Sequence, residues 1–427
     1  MFIFQALVSW VQPPTHRWQP IGHPRRRGLP TLCTASSGFN VPIPLFSKHD
    51  AGDLTESDEI RRVLLIYTGG TLGMTKQADG SLSPEPGCLP KAIQAMPEML
   101  DPSIPELDFI EYDPLIDSSN VTPRDWSKLA KQIQDSYYDY DGFVIAHGTD
   151  TMAYTASALS FMLEGLGKAV VLTGSMIPLA EVYNDARRNL LISFVFAAQL
   201  ELCEVAVFFN DRLLRGNRAV KVDSNSLNAF DSPNFPPLAT VGASVAANRA
   251  IWRPPPASRL RVHDRLDACV VVLRLAPGFD DSAINAMIQH AENLKGIVLS
   301  LYGTGNGPSR KSAFLKTISD AVDRDLLVVA TSQCLAGTVS LETYEVGRRL
   351  LEIGVVSAGD MTTEACVTKI AYLLGRGISG PKLRNAMNDD LRGERSVGSQ
   401  SSWADLSTLS GGISLQGLQG GYKRSIY

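Results

Sequence analysis

Two short stretches set threonine hydroxyls beside glycines at points where an apolar run stops. Thr68-Gly69-Gly70-Thr71 follows Val63-Leu64-Leu65-Ile66, and His147-Gly148-Thr149-Asp150-Thr151 follows Phe143-Val144-Ile145-Ala146. Adjacent glycines let a backbone turn sharply and approach a ligand with no Cβ in the way. A threonine hydroxyl is a weak nucleophile at its free pKa, so chemistry at such a place needs a base or a proton relay. A Gly-rich turn after an ordinary strand would account for the first stretch alone. Helix capping, which uses the same residue types, would account for Thr149 or Asp150 alone. Neither explains why two strand ends carry the same Thr/Gly chemistry.

The elements that must position these groups follow from the flanking sequence. Four consecutive apolar residues suit a strand buried on both faces of a parallel sheet. The carboxyl ends of such strands are where open α/β sheets bind ligands. A nearly uncharged helical segment, residues 152–163, follows the second stretch, so its hydroxyls and carboxylate lie near the positive end of a helix dipole. Strand-like and helix-like segments alternate from Arg61 onward, which is the pattern of a parallel α/β sheet. Thr122-Pro123-Arg124-Asp125 opens a helix with Trp126, Leu129, Ala130 and Ile133 on one face. Further strands are expected at 170–172, 205–209, 268–275, 297–302 and 326–330, a buried helix at 189–198 and a helix at 363–374. Residues 76–87 are polar and rich in Gly and Pro, and read as a mobile loop over the first site.

Pro254-Pro255-Pro256 cannot continue a helix or a central strand. The expected organisation is a larger N-terminal domain at 57–245, a linker at 246–265 and a smaller C-terminal parallel α/β domain at 266–395. Residues 1–56 are proline-rich and carry no acidic residue before Asp50, and read as an extension or a transit peptide. Residues 396–427 are rich in Ser and Gly and read as a disordered tail. The 427 residues carry a net charge of −4, which offers no general basic surface to nucleic acid. No apolar run approaches the roughly 20 residues that span a bilayer. The six cysteines show no metal spacing, and Cys203 and Cys269 read as small buried hydrophobes in a reduced, intracellular protein.

Taken in order, T-G-G-T at 68–71, Asp117-Ser118-Ser119, H-G-T-D-T-M at 147–152, R-G-N-R-A-V-K at 215–221 and D-L-R-G-E at 390–394 resemble the L-asparaginase family, in its cytoplasmic-type branch. The resemblance covers residues 61–394. It implies a two-domain α/β fold and hydrolysis of the side-chain amide of L-asparagine to aspartate and ammonia. By that resemblance Thr71 is the nucleophile, and Thr149, Asp150 and Lys221 form the proton relay. Thr71 also lies beyond both glycines, where the chain has left the strand, unlike its competitor Thr68.

A lysine beside a carboxylate and a hydroxyl can exchange protons with them when partly desolvated. Ser118 and Ser119 suit an α-carboxylate and Asp150 an α-ammonium, with Asp117 in the same motif. Backbone N–H groups near Gly70 and Thr149 would hold the oxyanion. No metal or cofactor is called for, and His147 reads as structural. The family also implies a homo-oligomer, a dimer of dimers, in which the Gly-rich loop at 303–307, with Asn306, reaches a neighbouring subunit's site. The compartment implied is the cytoplasm, or the mitochondrion if residues 1–56 are a transit peptide.

Two departures stand out: Ser81 lies where many members place a loop tyrosine, and Ala186 where glycine is usual. Nucleotide binding is a poor rival, since T-G-G-T-L-G is not G-x-G-x-x-G. A non-catalytic sensor or amidotransferase subunit is opposed by the joint presence of Thr71, Thr149, Asp150 and Lys221. No G-x-S-x-G elbow supports a lysophospholipase.

Overall fold

The computed structural model describes residues 61–396 apart from Ala78, Ser309 and Arg310. The extension at 1–56 and the tail beyond Ser396 lie outside the described residues. The fold is α/β, with a large N-terminal sheet and a separate parallel sheet in the C-terminal region. The large sheet has eight strands, and five of them run parallel in the spatial order 106–111, 62–67, 142–146, 170–173 and 205–209. The last of these turns back into antiparallel strands at 212–215, 239–241 and 245–247, which the sequence reading did not separate. The smaller sheet stacks 270–274, 296–301, 327–332 and 356–357 in sequence order, all parallel.

The strand Arg62–Tyr67 shows why the apolar runs are continuous. Leu64 and Ile66 enter one core, shared with the helices Pro123–Asp135 and Met152–Met162. Val63, Leu65 and Tyr67 enter the other, against the helix Ala186–Gln199. With period-2 side chains and both faces covered, no position can be polar. The helix at 123–135 starts as expected: Asp125 Oδ2 accepts from the Thr122 N–H at 2.8 Å and from its hydroxyl at 2.6 Å.

Several expectations change. The segment after the first strand is not a plain loop, because Met74–Lys76 and Leu82–Pro84 pair as an antiparallel hairpin. Ser81 sits exposed in its turn, where Asp79 Oδ1 accepts from its N–H at 2.9 Å and its hydroxyl at 2.6 Å. Cys203 and Cys269 are half-buried rather than buried, since both lie just outside strands. The segment 246–265 does more than join: Arg261–Val262 pairs with Leu163–Glu164, at the end of the helix that follows the His147 stretch. Among the described residues, no helix is long and apolar enough to cross a membrane.

Candidate active site

Both Thr/Gly stretches lie at the carboxyl ends of adjacent parallel strands, 62–67 and 142–146. Gly69 and Gly70 adopt φ of 134° and 92°, which side-chain-bearing residues rarely tolerate. Close approach gives a second reason for glycine. A Cβ on Gly70 would stand 2.4 Å from Gly148 Cα, and one on Gly148 would stand 2.5 Å from Ser118 Oγ. The three motifs are therefore in contact, and each glycine–glycine partner is followed by a threonine, Thr71 or Thr149. Thr71 begins a short 3-10 turn, Thr71–Gly73, and is half-buried. Thr68 is buried instead, and its hydroxyl donates to the Ala146 carbonyl at 3.1 Å. That contact ties one strand end to the other and leaves Thr68 no freedom to react.

Lys221 arrives from a different element, the two-residue strand Val220–Lys221 paired with Phe230–Asp231. Its Nζ donates to Thr149 Oγ1 at 2.8 Å and to Asp150 Oδ1 at 2.6 Å. The lysine side chain is 18% exposed and the Asp150 side chain 65%, so the ammonium is sheltered while the carboxylate faces outward. Neither Thr149 nor Asp150 caps the following helix: the residue before its first turn is Thr151, whose hydroxyl donates to the Ser118 carbonyl at 2.6 Å. The capping alternative therefore fails for Thr149 and Asp150, and Thr151 instead pins the serine motif.

In that motif Asp117 Oδ1 accepts from the Ser119 N–H at 3.0 Å, which shapes the turn. Ser118 is buried against Gly148, and Ser119 is exposed. Asp117 thus has a positioning task that the residue types alone did not reveal. His147 is buried, with Nδ1 2.7 Å from the Gly148 carbonyl and Nε2 3.0 Å from Thr155 Oγ1. It holds the loop from behind, as expected of a structural residue. Asn306 lies apart, in a tight turn where the Asn306 N–H donates to the Tyr302 carbonyl at 2.7 Å. No group of three or more His, Cys, Asp or Glu residues placed to hold a metal ion occurs among the described residues.

The support behind Lys221 was missed. Asn217 Nδ2 donates to the Arg392 carbonyl at 3.0 Å and Arg218 Nε to the Gly393 carbonyl at 2.7 Å. Arg218 also pairs with Asp360 at 2.8 Å. The R-G-N-R and D-L-R-G-E stretches therefore clasp each other, just upstream of the lysine. The signal available was the two arginines and one asparagine of the first stretch and the mixed charges of the second, without any indication of which partners they take. The second departure is also explained. Ala186 is fully buried in the first turn of its helix, and neighbouring Asp185 accepts from the Met176 and Ile177 N–H groups at 3.0 Å. The methyl group fills core space and alters no catalytic group.

Comparison with known proteins agrees with this geometry. Residues 62–253 match the model described as Asparaginase, N-terminal, and residues 269–387 that of the Glutaminase/Asparaginase C-terminal domain. L-asparaginase 1 of Escherichia coli (strain K12) is 43% identical over 334 residues, covering 78% of this chain and 98% of that protein. The 60 kDa lysophospholipase of Mus musculus is 41% identical over 359 residues, covering 79% of this chain but only 63% of that protein. The crystal structure of L-asparaginase I from Vibrio cholerae O1 biovar eltor matches with a TM-score of 0.73 at 39% identity, covering 79% of this chain and 100% of that one. With both halves matched by their own models, and with the two Thr/Gly stretches, the serine motif and Lys221 brought together, the chain belongs to the asparaginase family.

Proposed function

We propose that this chain hydrolyses L-asparagine to L-aspartate and ammonia through an aspartyl ester on Thr71. The observation that carries the reading is Lys221 Nζ bridging Thr149 Oγ1 and Asp150 Oδ1, beside the loop that presents Thr71. Thr71 Oγ attacks the side-chain amide carbon, and its proton passes into the Thr149–Lys221–Asp150 relay. Backbone N–H groups at Gly70 and Thr149 stabilise the oxyanion. Collapse breaks the C–N bond, and the relay returns the proton to the leaving ammonia. Water, deprotonated through the same relay, then attacks the ester carbon, releases aspartate and returns the proton to Thr71. Ser118 and Ser119 bind the α-carboxylate and the open Asp150 carboxylate the α-ammonium, while Asp117 shapes the serine turn.

The finer organisation is part of the same proposal. Residues 57–245 and 266–395 act as two domains joined by 246–265. The chain assembles as a dimer of dimers in the cytoplasm, with Asn306 directed to a neighbouring subunit's site. The reading is tested with purified protein given asparagine, glutamine and a lysophospholipid, following ammonia and free fatty acid. Asparagine should release ammonia, and Lys221→Met should lower that turnover by about 10²-fold or more, the range for a lost acid–base partner. Lys221→Met/Asp150→Ala should cost less than the product of the single losses. Fatty acid without ammonia would overturn the reading, and multiplicative losses would separate the relay into independent residues.

A further inference from the structure

A second charged site lies at the opposite end of the large sheet, where the strand Val205–Phe209 begins. A cavity of about 80 Å³ is lined there by Arg215, Arg253 and Arg392, with Glu204 as the acidic group of its wall. A water needs only about 10–15 Å³ on this measure, so the space suits a group of several heavy atoms. Glu204 is already committed. Its Oε2 accepts from Arg215 Nε at 2.6 Å and its Oε1 from Arg215 at 3.0 Å. The same Oε1 also takes the backbone N–H of Arg253 at 2.7 Å. One carboxylate therefore answers one guanidinium, and two guanidiniums remain.

Those two are under-partnered. The Arg253 guanidinium makes no hydrogen bond or close ion pair among the described residues. Burial, and the charges of Arg392 and Arg215, hold it below arginine's usual value, against the pull of Glu204 and Asp390. Arg392 donates to the Leu391 carbonyl at 2.8 Å and stands 3.6 Å from Glu164, a carboxylate shared with His263 and Arg376. Its Nε is buried with no partner. Like charges converging on a partly dry cavity are costly unless an anion joins them.

We propose that Arg253 and Arg392, above the Arg215–Glu204 pair, form a binding site for a phosphate group. Guanidinium forks match phosphate oxygens in pairs, which makes arginine the residue of choice for such a dianion. The lining charge of three cations against one anion has the matching sign. The cavity adjoins a groove of about 650 Å³ that shares Cys203, Arg253 and Pro254 and adds the cations Arg61, Lys168 and Arg249 against the acids Asp141 and Glu201. A phosphate carried on a larger molecule therefore has room to approach the cavity as well as the free ion.

The test is calorimetric titration of the intact protein with inorganic phosphate and with phenyl phosphate, against chloride at matched ionic strength. One phosphate per chain is expected. Arg253→Leu should weaken it at least about tenfold, equivalent to about 1.4 kcal/mol. Arg253 hydrogen-bonds Glu204 through its backbone N–H alone, which the variant retains, so its melting temperature in chloride should be kept. Arg253→Gln, which retains a polar end without charge, should show the same loss. Tighter binding of the ester would mark the source as a phosphorylated molecule, and equal or weaker binding would mark free phosphate. No phosphate binding, or binding unchanged in both variants, would overturn the site.

Discussion

At the scale of single residues, the site depends on groups that never touch substrate. Trp126 Nε1 donates to Thr155 Oγ1 at 2.9 Å, which leaves the threonine O–H to donate to His147 Nε2 and His147 Nδ1–H to donate to the Gly148 carbonyl. That chain of donors fixes a neutral tautomer directly behind Thr149. Burial holds the His147 pKa below its ordinary value, against the Gly148 hydrogen bond and the more distant Asp125. The neutral form is therefore the one the fold selects. Its contribution is complete above the unfolded value of about 6.5 and is lost as pH falls from there toward the lower folded value. Urea midpoints measured from pH 7.5 downward should fall, and His147→Gln should fall less steeply over the same range. Equal slopes in the two proteins would mean that His147 is not the titrating group.

Elements, rather than residues, decide where Lys221 stands. Glu394 accepts from the Leu391 N–H at 3.0 Å and the Arg392 N–H at 2.6 Å, which folds D-L-R-G-E around its own carboxylate. Lys369, from the helix Thr363–Gly375, neutralises that carboxylate at 2.6 Å, with both side chains fully buried. The carbonyls so presented are the ones Asn217 and Arg218 take. Removing one partner of a buried pair leaves a lone buried charge, at about 3–5 kcal/mol. Lys369→Met should lose about that much by denaturant unfolding, and kcat should fall more than KM rises as the segment before Lys221 loosens. Lys369→Met/Glu394→Gln, which removes the lone charge but keeps an acceptor for the Leu391 and Arg392 N–H groups, should regain part of the stability. A double variant no more stable than the single would contradict the buried-charge explanation. This clasp also marks where sequence reading stopped. The parallel strands were legible because burial on both faces writes continuous apolar runs, and the Thr/Gly strand ends because their residue types are so restricted. The Arg218–Gly393 contact spans 175 positions, and no local pattern encodes it. The hairpin at 74–76 and 82–84 was hidden because three-residue strands with no fully buried position need no apolar alternation.

At the scale of the whole molecule, the N-terminal sheet presents Thr71, Thr149 and Asp150, while the C-terminal region clasps the segment that carries Lys221. The turn at Tyr302–Asn306 is held by glycines with φ of 50° and 115° at Gly303 and Gly305, which keep Asn306 in a defined turn. If Asn306 completes a neighbouring site, activity follows assembly. Sedimentation at dilutions bracketing the assay concentration should show specific activity falling as the oligomer dissociates, and full activity from a monomer would contradict the shared site. The central claim is that Thr71 carries the substrate covalently. Rapid quenching of the enzyme with asparagine, followed by mass measurement of the peptide containing Thr71, tests it most directly. The expected result is the mass of an added aspartyl group on Thr71, lost when hydroxylamine intercepts the ester as aspartyl hydroxamate, and absent from a folded, inactive Thr71→Ala. Near-normal turnover by Thr71→Ala would contradict it.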